Sequence, residues 1–70
     1  MPDSSAAIID FLIEQRRNQG MTQKELADAT CLTQSVISRF ESKKAIPQLD
    51  TLLKVVYALG CNLTVVPPSK

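Results

Sequence analysis

Residues 22–41, TQKELADATCLTQSVISRFE, predict two short helices joined by a tight turn. Thr22 is a favoured N-cap residue, and the carboxylate of Glu25 can bond back to the Thr22 backbone, which would complete a capping box. We expect a break at residues 29–32, after which Thr33 caps a second helix that runs to the end of the stretch. The stretch therefore predicts a helix-turn-helix unit.

The second of these helices has an apolar side and a polar side. Val36, Ile37 and Phe40 recur at helical spacing on the apolar side. The polar side consists of Gln34, Ser35, Ser38, Arg39 and Ser42. Gln can bond adenine and Arg can bond guanine in a bidentate way, and Ser can bond several base edges. The pattern indicates a helix that reads DNA, and the alternative is an ordinary amphipathic helix with a Ser-rich outer side.

The stretch resembles the helix-turn-helix of the phage repressor and Cro family, also called the XRE family. In that family Thr-Gln-x-x-Leu-Ala opens the motif and Thr/Ser-Gln-x-x-Ile-Ser-x-x-Glu forms the recognition helix, and the resemblance extends from about Ile9 to about Gly60. It implies that Gln23 contacts a DNA phosphate. It also implies that the major groove is faced by Thr33, Gln34, Ser35, Ser38 and Arg39.

Two further expectations come from the same resemblance. An Arg at the position of Arg16 pairs with the Glu that closes the recognition helix, here Glu41, so we expect an ion pair between them; the alternative is an Arg16 side chain that extends into solvent. The family's turn normally holds Gly where this chain has Cys31. If that position needs a positive φ, Cys costs roughly 1 kcal/mol relative to Gly.

A basic loop follows the proposed recognition helix. Pro47 disfavours helix immediately before it, so residues 42–48 predict a loop. Lys43 and Lys44 in this loop are expected to contact phosphates, which would position the helix without reading sequence. A solvated basic loop is the alternative. The acidic residues of the first helix, Asp10 among them, are expected to lie far from these lysines.

Two more helices are predicted to complete an all-α, compact four-helix bundle over residues 5–60, preceded by a flexible N-terminus over residues 1–4. The first helix would end near Gly20 and the fourth near Gly60. The predicted apolar positions of these two helices are Ile8, Ile9, Leu12, Ile13, Leu49, Leu52, Val55, Val56 and Leu59. The helix-turn-helix would add Leu26, Leu32, Val36, Ile37 and Phe40 to the core.

Residues 61–66, CNLTVV, predict a short β-strand, because they alternate and are rich in β-branched side chains. No second strand is predicted, and a lone strand leaves its backbone groups unpaired. We therefore expect the strand to pair with that of a second subunit. The dimer interface would contain Asn62, Leu63, Thr64, Val65 and Val66, with residues 67–70 as a tail. An extended tail packed on its own bundle is the alternative.

The ending ALGCNLTVVPP resembles the C-terminal part of compact antitoxins of the HipB and HigA kinds, which repress their own operon and bind a toxin. Together the patterns indicate a homodimeric repressor of pseudo-palindromic operator DNA that is the antitoxin of a type II toxin-antitoxin pair. A stand-alone phage-type or chromosomal regulator without a toxin is the alternative.

Composition favours one small domain and argues against several other functions. The chain has 70 residues, a net charge of +1, two Cys and no His, so a zinc site and a disulfide framework are not expected. Without His, a Gly-rich phosphate loop or clustered carboxylates, we expect no enzyme and no cofactor. The two cysteines are expected to be reduced thiols in a cytoplasmic protein. We also expect no signal peptide and no membrane span. A scaffold that binds only protein stays open, since the chain lacks global basicity.

Overall fold

The computed structural model describes residues 4–67, which form four α-helices. The helices are α1 (Ser4–Asn18), α2 (Gln23–Thr30), α3 (Gln34–Ser42) and α4 (Leu49–Ala58). The predicted all-α, four-helix architecture is confirmed. Because α1 already includes Ser4, it begins inside the segment that was expected to be a flexible N-terminus. Residues 1–3 of that segment, and residues 68–70 of the expected tail, lie outside the described residues.

Two threonines start the helices of the helix-turn-helix unit, as predicted. The hydroxyl of Thr22 accepts a hydrogen bond from the Glu25 backbone N–H at 3.1 Å, and the Glu25 carboxylate accepts one from the Thr22 N–H at 2.8 Å. The hydroxyl of Thr33 accepts from the Val36 N–H at 3.2 Å. Each such cap typically stabilises a helix by about 1 kcal/mol. The starting points of α2 and α3 are thus fixed by local chemistry.

The turn between α2 and α3 is a left-handed C-cap. Cys31 has φ 60° and ψ 30°, and the Leu32 N–H donates to the Ala27 carbonyl at 2.9 Å. The helix extends through Thr30, further than the break expected at residues 29–32. Thr30 is buried and its hydroxyl donates to the Leu26 carbonyl at 2.8 Å, which allows this polar residue to continue the helix.

The core lies where α2 packs against α3 and α4 and where α1 packs against α3. Its buried apolar members are Ile9, Leu12, Leu26, Ala27, Ile37, Phe40, Val55, Val56 and Leu59. Three predicted core residues are exposed instead: Ile8, Val36 and Leu49. Ile8 and Val36, each 39 % exposed, lie next to the buried Ile9 and Ile37 at the edges of their apolar arcs. Leu49, 65 % exposed, is the first residue of α4. The C-terminal ends of α1 and α4 are joined by the Gln19 side-chain amide, which donates to the Leu59 carbonyl at 2.8 Å.

Residues 61–66 form no strand in the single chain, and residues 4–67 contain no strand at all. The prediction of a strand is therefore not met at the level of one subunit, because a strand needs a neighbouring strand and the described residues supply none. Gly60 turns the chain with φ 74°, and Cys61 packs against the core while its N–H donates to the Val56 carbonyl at 3.0 Å. Residues 62–64 line a shallow groove with Phe11 and Leu12 of α1, and beyond them Val65 is 91 % exposed.

None of the helices within residues 4–67 has the length and apolar character needed to cross a bilayer.

Candidate nucleic-acid interface

The polar side of α3 lines an open groove together with the first residue of α2. The lining consists of Gln23, Gln34, Ser35, Ser38, Arg39, Ser42 and Lys44. It contains two cations and no carboxylate, so its charge suits a polyanion. The structure thus brings together six of the eight residues predicted to contact DNA; Thr33 and Lys43 are the two that do not line the groove.

The groove follows from the helical period of α3. Ile37 and Phe40 point into the core, which directs the residues between and after them outward. Gln34 and Ser38 are one turn apart on the exposed side, and Arg39 lies beside them. None of the ion pairs among residues 4–67 involves Arg39, so its guanidinium donors are available for a ligand.

A buried ion pair holds α3 against α1. Arg16 Nε donates to Glu41 Oε2 at 2.7 Å and Arg16 Nη2 donates to Glu41 Oε1 at 2.9 Å. The two side chains are only 10 % and 8 % exposed. Arg16 Nη1 also donates to the Met21 carbonyl at 2.8 Å. The ion pair expected from the resemblance is therefore present, and Arg16 joins α1, the loop before α2 and the end of α3.

Gln23 belongs to the same network, which the sequence did not indicate. Its side-chain nitrogen donates to Glu41 Oε1 at 3.0 Å. An amide has two N–H donors and one acceptor oxygen, so this bond orients the group and leaves one N–H and the oxygen for the groove. The carboxylate of Glu41 thereby fixes a residue at the groove as well as the helix that carries it. Residues 23 and 41 are not linked by any helical spacing, so no sequence signal pointed to this contact.

Lys43 is placed differently from Lys44. It is the C-cap of α3 with φ 61°, and its Nζ bonds to Asp10 Oδ1 of α1. The expectation that Asp10 lies far from the basic loop was wrong, since the fold returns α1 to the end of α3. Lys44, the next residue, lines the groove. Of the two lysines expected at phosphates, one is therefore already paired with a carboxylate.

Thr33 and the two cysteines do not line the groove. Thr33 is exposed beside Gln34, and its hydroxyl is engaged in capping α3. Cys31 is exposed at the turn and Cys61 is half-buried, and both are free thiols. Residues 4–67 hold no group of three or more His, Cys, Asp or Glu side chains that could bind a metal ion.

The chain is similar to known regulators over most of its length. A helix-turn-helix family model matches residues 12–66. An uncharacterized HTH-type transcriptional regulator of Haemophilus influenzae is 41 % identical over 61 residues, which cover 87 % of this chain and 62 % of that protein. The HTH-type transcriptional regulator PuuR of Escherichia coli is 36 % identical over 64 residues, covering 91 % of this chain and 35 % of PuuR. The chain thus spans less than two thirds of either regulator.

A solved structure described as a toxin-antitoxin module from Streptococcus pneumoniae is also similar. The match has a TM-score of 0.79 and 46 % sequence identity, and it covers 96 % of this chain and 74 % of that one. The similarity therefore includes the four helices and the residues that follow them. The matched helix-turn-helix segment, the two capped helices and the buried brace agree with one another, and the chain belongs to the helix-turn-helix family, in its XRE-type branch.

Proposed function

We propose that this protein binds double-stranded operator DNA and represses transcription by occupying it. The observation that carries the proposal is the exposed side of α3, where Gln34, Ser38 and Arg39 line an acid-free groove. The ion pair with Arg16 fixes α3 on its inner side, while its outer side carries hydrogen-bonding groups. Such a helix is suited to the major groove, because base edges there present a distinct pattern of donors and acceptors for each base pair.

The groove residues divide into two roles. Gln34 and Arg39 can each make a bidentate contact with a base, which is worth about 1 to 3 kcal/mol of discrimination. Gln23 and Lys44 line the same groove, and contacts between them and phosphates would set the position of α3 without reading sequence. The network around Glu41 supports this division, because it holds Gln23 in a fixed relation to α3.

Selection of bound sequences from a random DNA pool with the purified protein tests the proposal. We expect a defined site, and we expect Arg39→Ala to lose preference at one base pair within it. Lys54→Ala is the matched control, since it also removes one positive charge, but from α4. There Lys54 Nζ lies 3.6 Å from Asp50 Oδ2. If Arg39→Ala and Lys54→Ala keep the same base preference, Arg39 does not read DNA.

The same proposal includes a homodimer in which residues 61–66 of two subunits pair as antiparallel strands. It is supported by the exposed apolar side chains of this segment, Leu63, Val65 and Val66, and by the lack of a strand partner among residues 4–67. Two α3 helices related by a two-fold axis would meet successive major grooves, so the operator would be a pseudo-palindrome with half-sites about one turn, or a small multiple of it, apart.

Light scattering during size-exclusion chromatography tests the dimer. A double variant, Val65→Asp with Val66→Asp, would place four carboxylates near the two-fold axis, and we expect it to be monomeric at concentrations where the parent is a dimer. The matched control replaces both residues with Thr, which keeps β-branching. A charged variant that remains a dimer would exclude this segment as the interface.

A second candidate is that the protein also binds a toxin and acts as an antitoxin. It is supported by the similarity to a chain from a toxin-antitoxin module, at 46 % identity over nearly the whole length. The alternative is a regulator without a toxin. The two hypotheses are distinguished by co-expressing this protein with the product of an adjacent open reading frame and purifying through a tag on one of the two proteins. A stoichiometric complex supports the antitoxin, whereas recovery of the tagged protein alone supports the stand-alone regulator.

A further inference from the structure

Two ion pairs join α1 to the C-terminal end of α3, and they differ sharply in exposure. The pair Arg16–Glu41 is buried, with side chains 10 % and 8 % exposed. In the pair between Lys43 and Asp10 the side chains are 36 % and 58 % exposed. A buried bidentate pair constrains packing, whereas an exposed Lys–carboxylate pair contributes little to stability and is weakened by salt. We therefore expect the second pair to add little to the packing of the two helices.

The main effect of the pair between Lys43 and Asp10 is on the charge at the proposed DNA-binding face. Lys43 follows α3 directly and Lys44, the next residue, lines the groove. The bond from Lys43 Nζ to Asp10 Oδ1 turns the first of these ammonium groups toward α1 and cancels its charge. In a protein with a net charge of only +1, one cancelled cation beside the groove is a large share of the attraction for phosphates.

We propose that Asp10 withholds Lys43 from the DNA backbone and thereby lowers the sequence-independent affinity of the protein for DNA. This inference rests on the proposed DNA-binding function. Phosphate contacts hold the protein on any sequence, so removing one of them reduces binding at the many non-specific sites. A phosphate must compete with the Asp10 carboxylate for the Lys43 ammonium, and the charge of that carboxylate opposes its approach. Asp10 thus acts as a positioning residue through Lys43.

The test is the salt dependence of binding to a duplex of random sequence, measured by fluorescence anisotropy with the full chain. Asp10→Asn keeps the size of the side chain and removes its charge. We expect this variant to bind several-fold more tightly than the parent, with the slope of log affinity against log salt steeper by about 0.9 per chain for one added phosphate contact. Adding Lys43→Met to Asp10→Asn should reverse both changes. The Lys43→Met substitution should reduce the salt slope less in the parent than in the Asp10→Asn variant, because the proposal makes Lys43 fully available to phosphate only in that variant.

Glu14→Gln is the matched control, because Glu14 is an exposed acid on the same helix that forms no ion pair within residues 4–67. An equal gain from Glu14→Gln would overturn the proposal and assign the effect to the general field of α1. Weaker binding by Asp10→Asn would also overturn it and make the pair a clamp for α3. If the parent binds DNA but Asp10→Asn changes nothing, only this inference fails; if the parent binds no DNA at any salt concentration, the proposed function fails.

Discussion

Arg16 and Glu41 are 25 positions apart in the sequence, and their side chains meet in a bidentate ion pair with N–O distances of 2.7 and 2.9 Å. The Arg16 guanidinium also holds the Met21 carbonyl, and the Glu41 carboxylate also holds the Gln23 amide. The helix α3 is therefore fixed from its inner side, and its polar side lines the open groove.

Removing the carboxylate of Glu41 should destabilise the fold strongly. Glu41→Ala leaves the Arg16 charge buried and without its anion, which costs about 3 to 5 kcal/mol in comparable cases. Urea unfolding measures the loss. Asp50→Ala is the control, because it breaks an exposed pair between Asp50 and Lys54 that is worth about 0 to 1 kcal/mol. Similar losses for the two variants would show that the buried pair does not brace the helices.

Replacing Cys31 with Gly should stabilise the protein by about 1 kcal/mol, because Cys31 adopts φ 60° and Gly has no steric penalty there. Thermal unfolding under reducing conditions provides the measurement. Ala29→Gly, two residues earlier in the regular part of α2, should have the opposite sign and cost about 0.5 to 1 kcal/mol. A destabilised Cys31→Gly variant would mean that the thiol makes a contact more valuable than the relief of backbone strain.

Gln23→Ala and Gln34→Ala should weaken DNA binding in different ways. Gln23 lies beside the brace and is expected at a phosphate, so its loss should weaken binding to all sequences by a similar factor. Gln34 lies on the exposed side of α3, and its loss should cost about 1 to 3 kcal/mol at one base pair while other sequences are little affected. Titration of both variants against the selected site and single-base variants of it distinguishes the two. Identical profiles would contradict the division of roles.

Truncating two leucines should separate the true core from the apolar surface. Leu26 is fully buried, so Leu26→Ala should cost about 2 to 5 kcal/mol. Leu49 is 65 % exposed, and Leu49→Ala should change stability by less than about 0.5 kcal/mol, as surface substitutions usually do. Chemical unfolding of both variants decides the point. A large loss from Leu49→Ala would place this residue in an interface or in a tighter core than the single chain shows.

The sequence by itself determined those features that depend on neighbouring residues. The caps at Thr22 and Thr33 involve hydrogen bonds to a residue within the next turn, so their side chains specify them locally. The apolar period of α3 likewise decides that Gln34 and Arg39 face outward. The left-handed turn at Cys31 and the brace from Arg16 to Glu41 could be predicted only through the resemblance to a family, because residue type alone favours neither.

Only the tertiary structure decided which distant groups meet. Asp10 and Lys43 are 33 positions apart, and Gln23 and Glu41 are 18 apart, separations at which no local period relates the two side chains. Residues 61–66 are strand-like in composition yet unpaired in one subunit, because β-pairing is a property of two segments and not of one. Local chemistry specifies a helix or a cap, whereas long-range contacts exist only once packing has set the distances between segments.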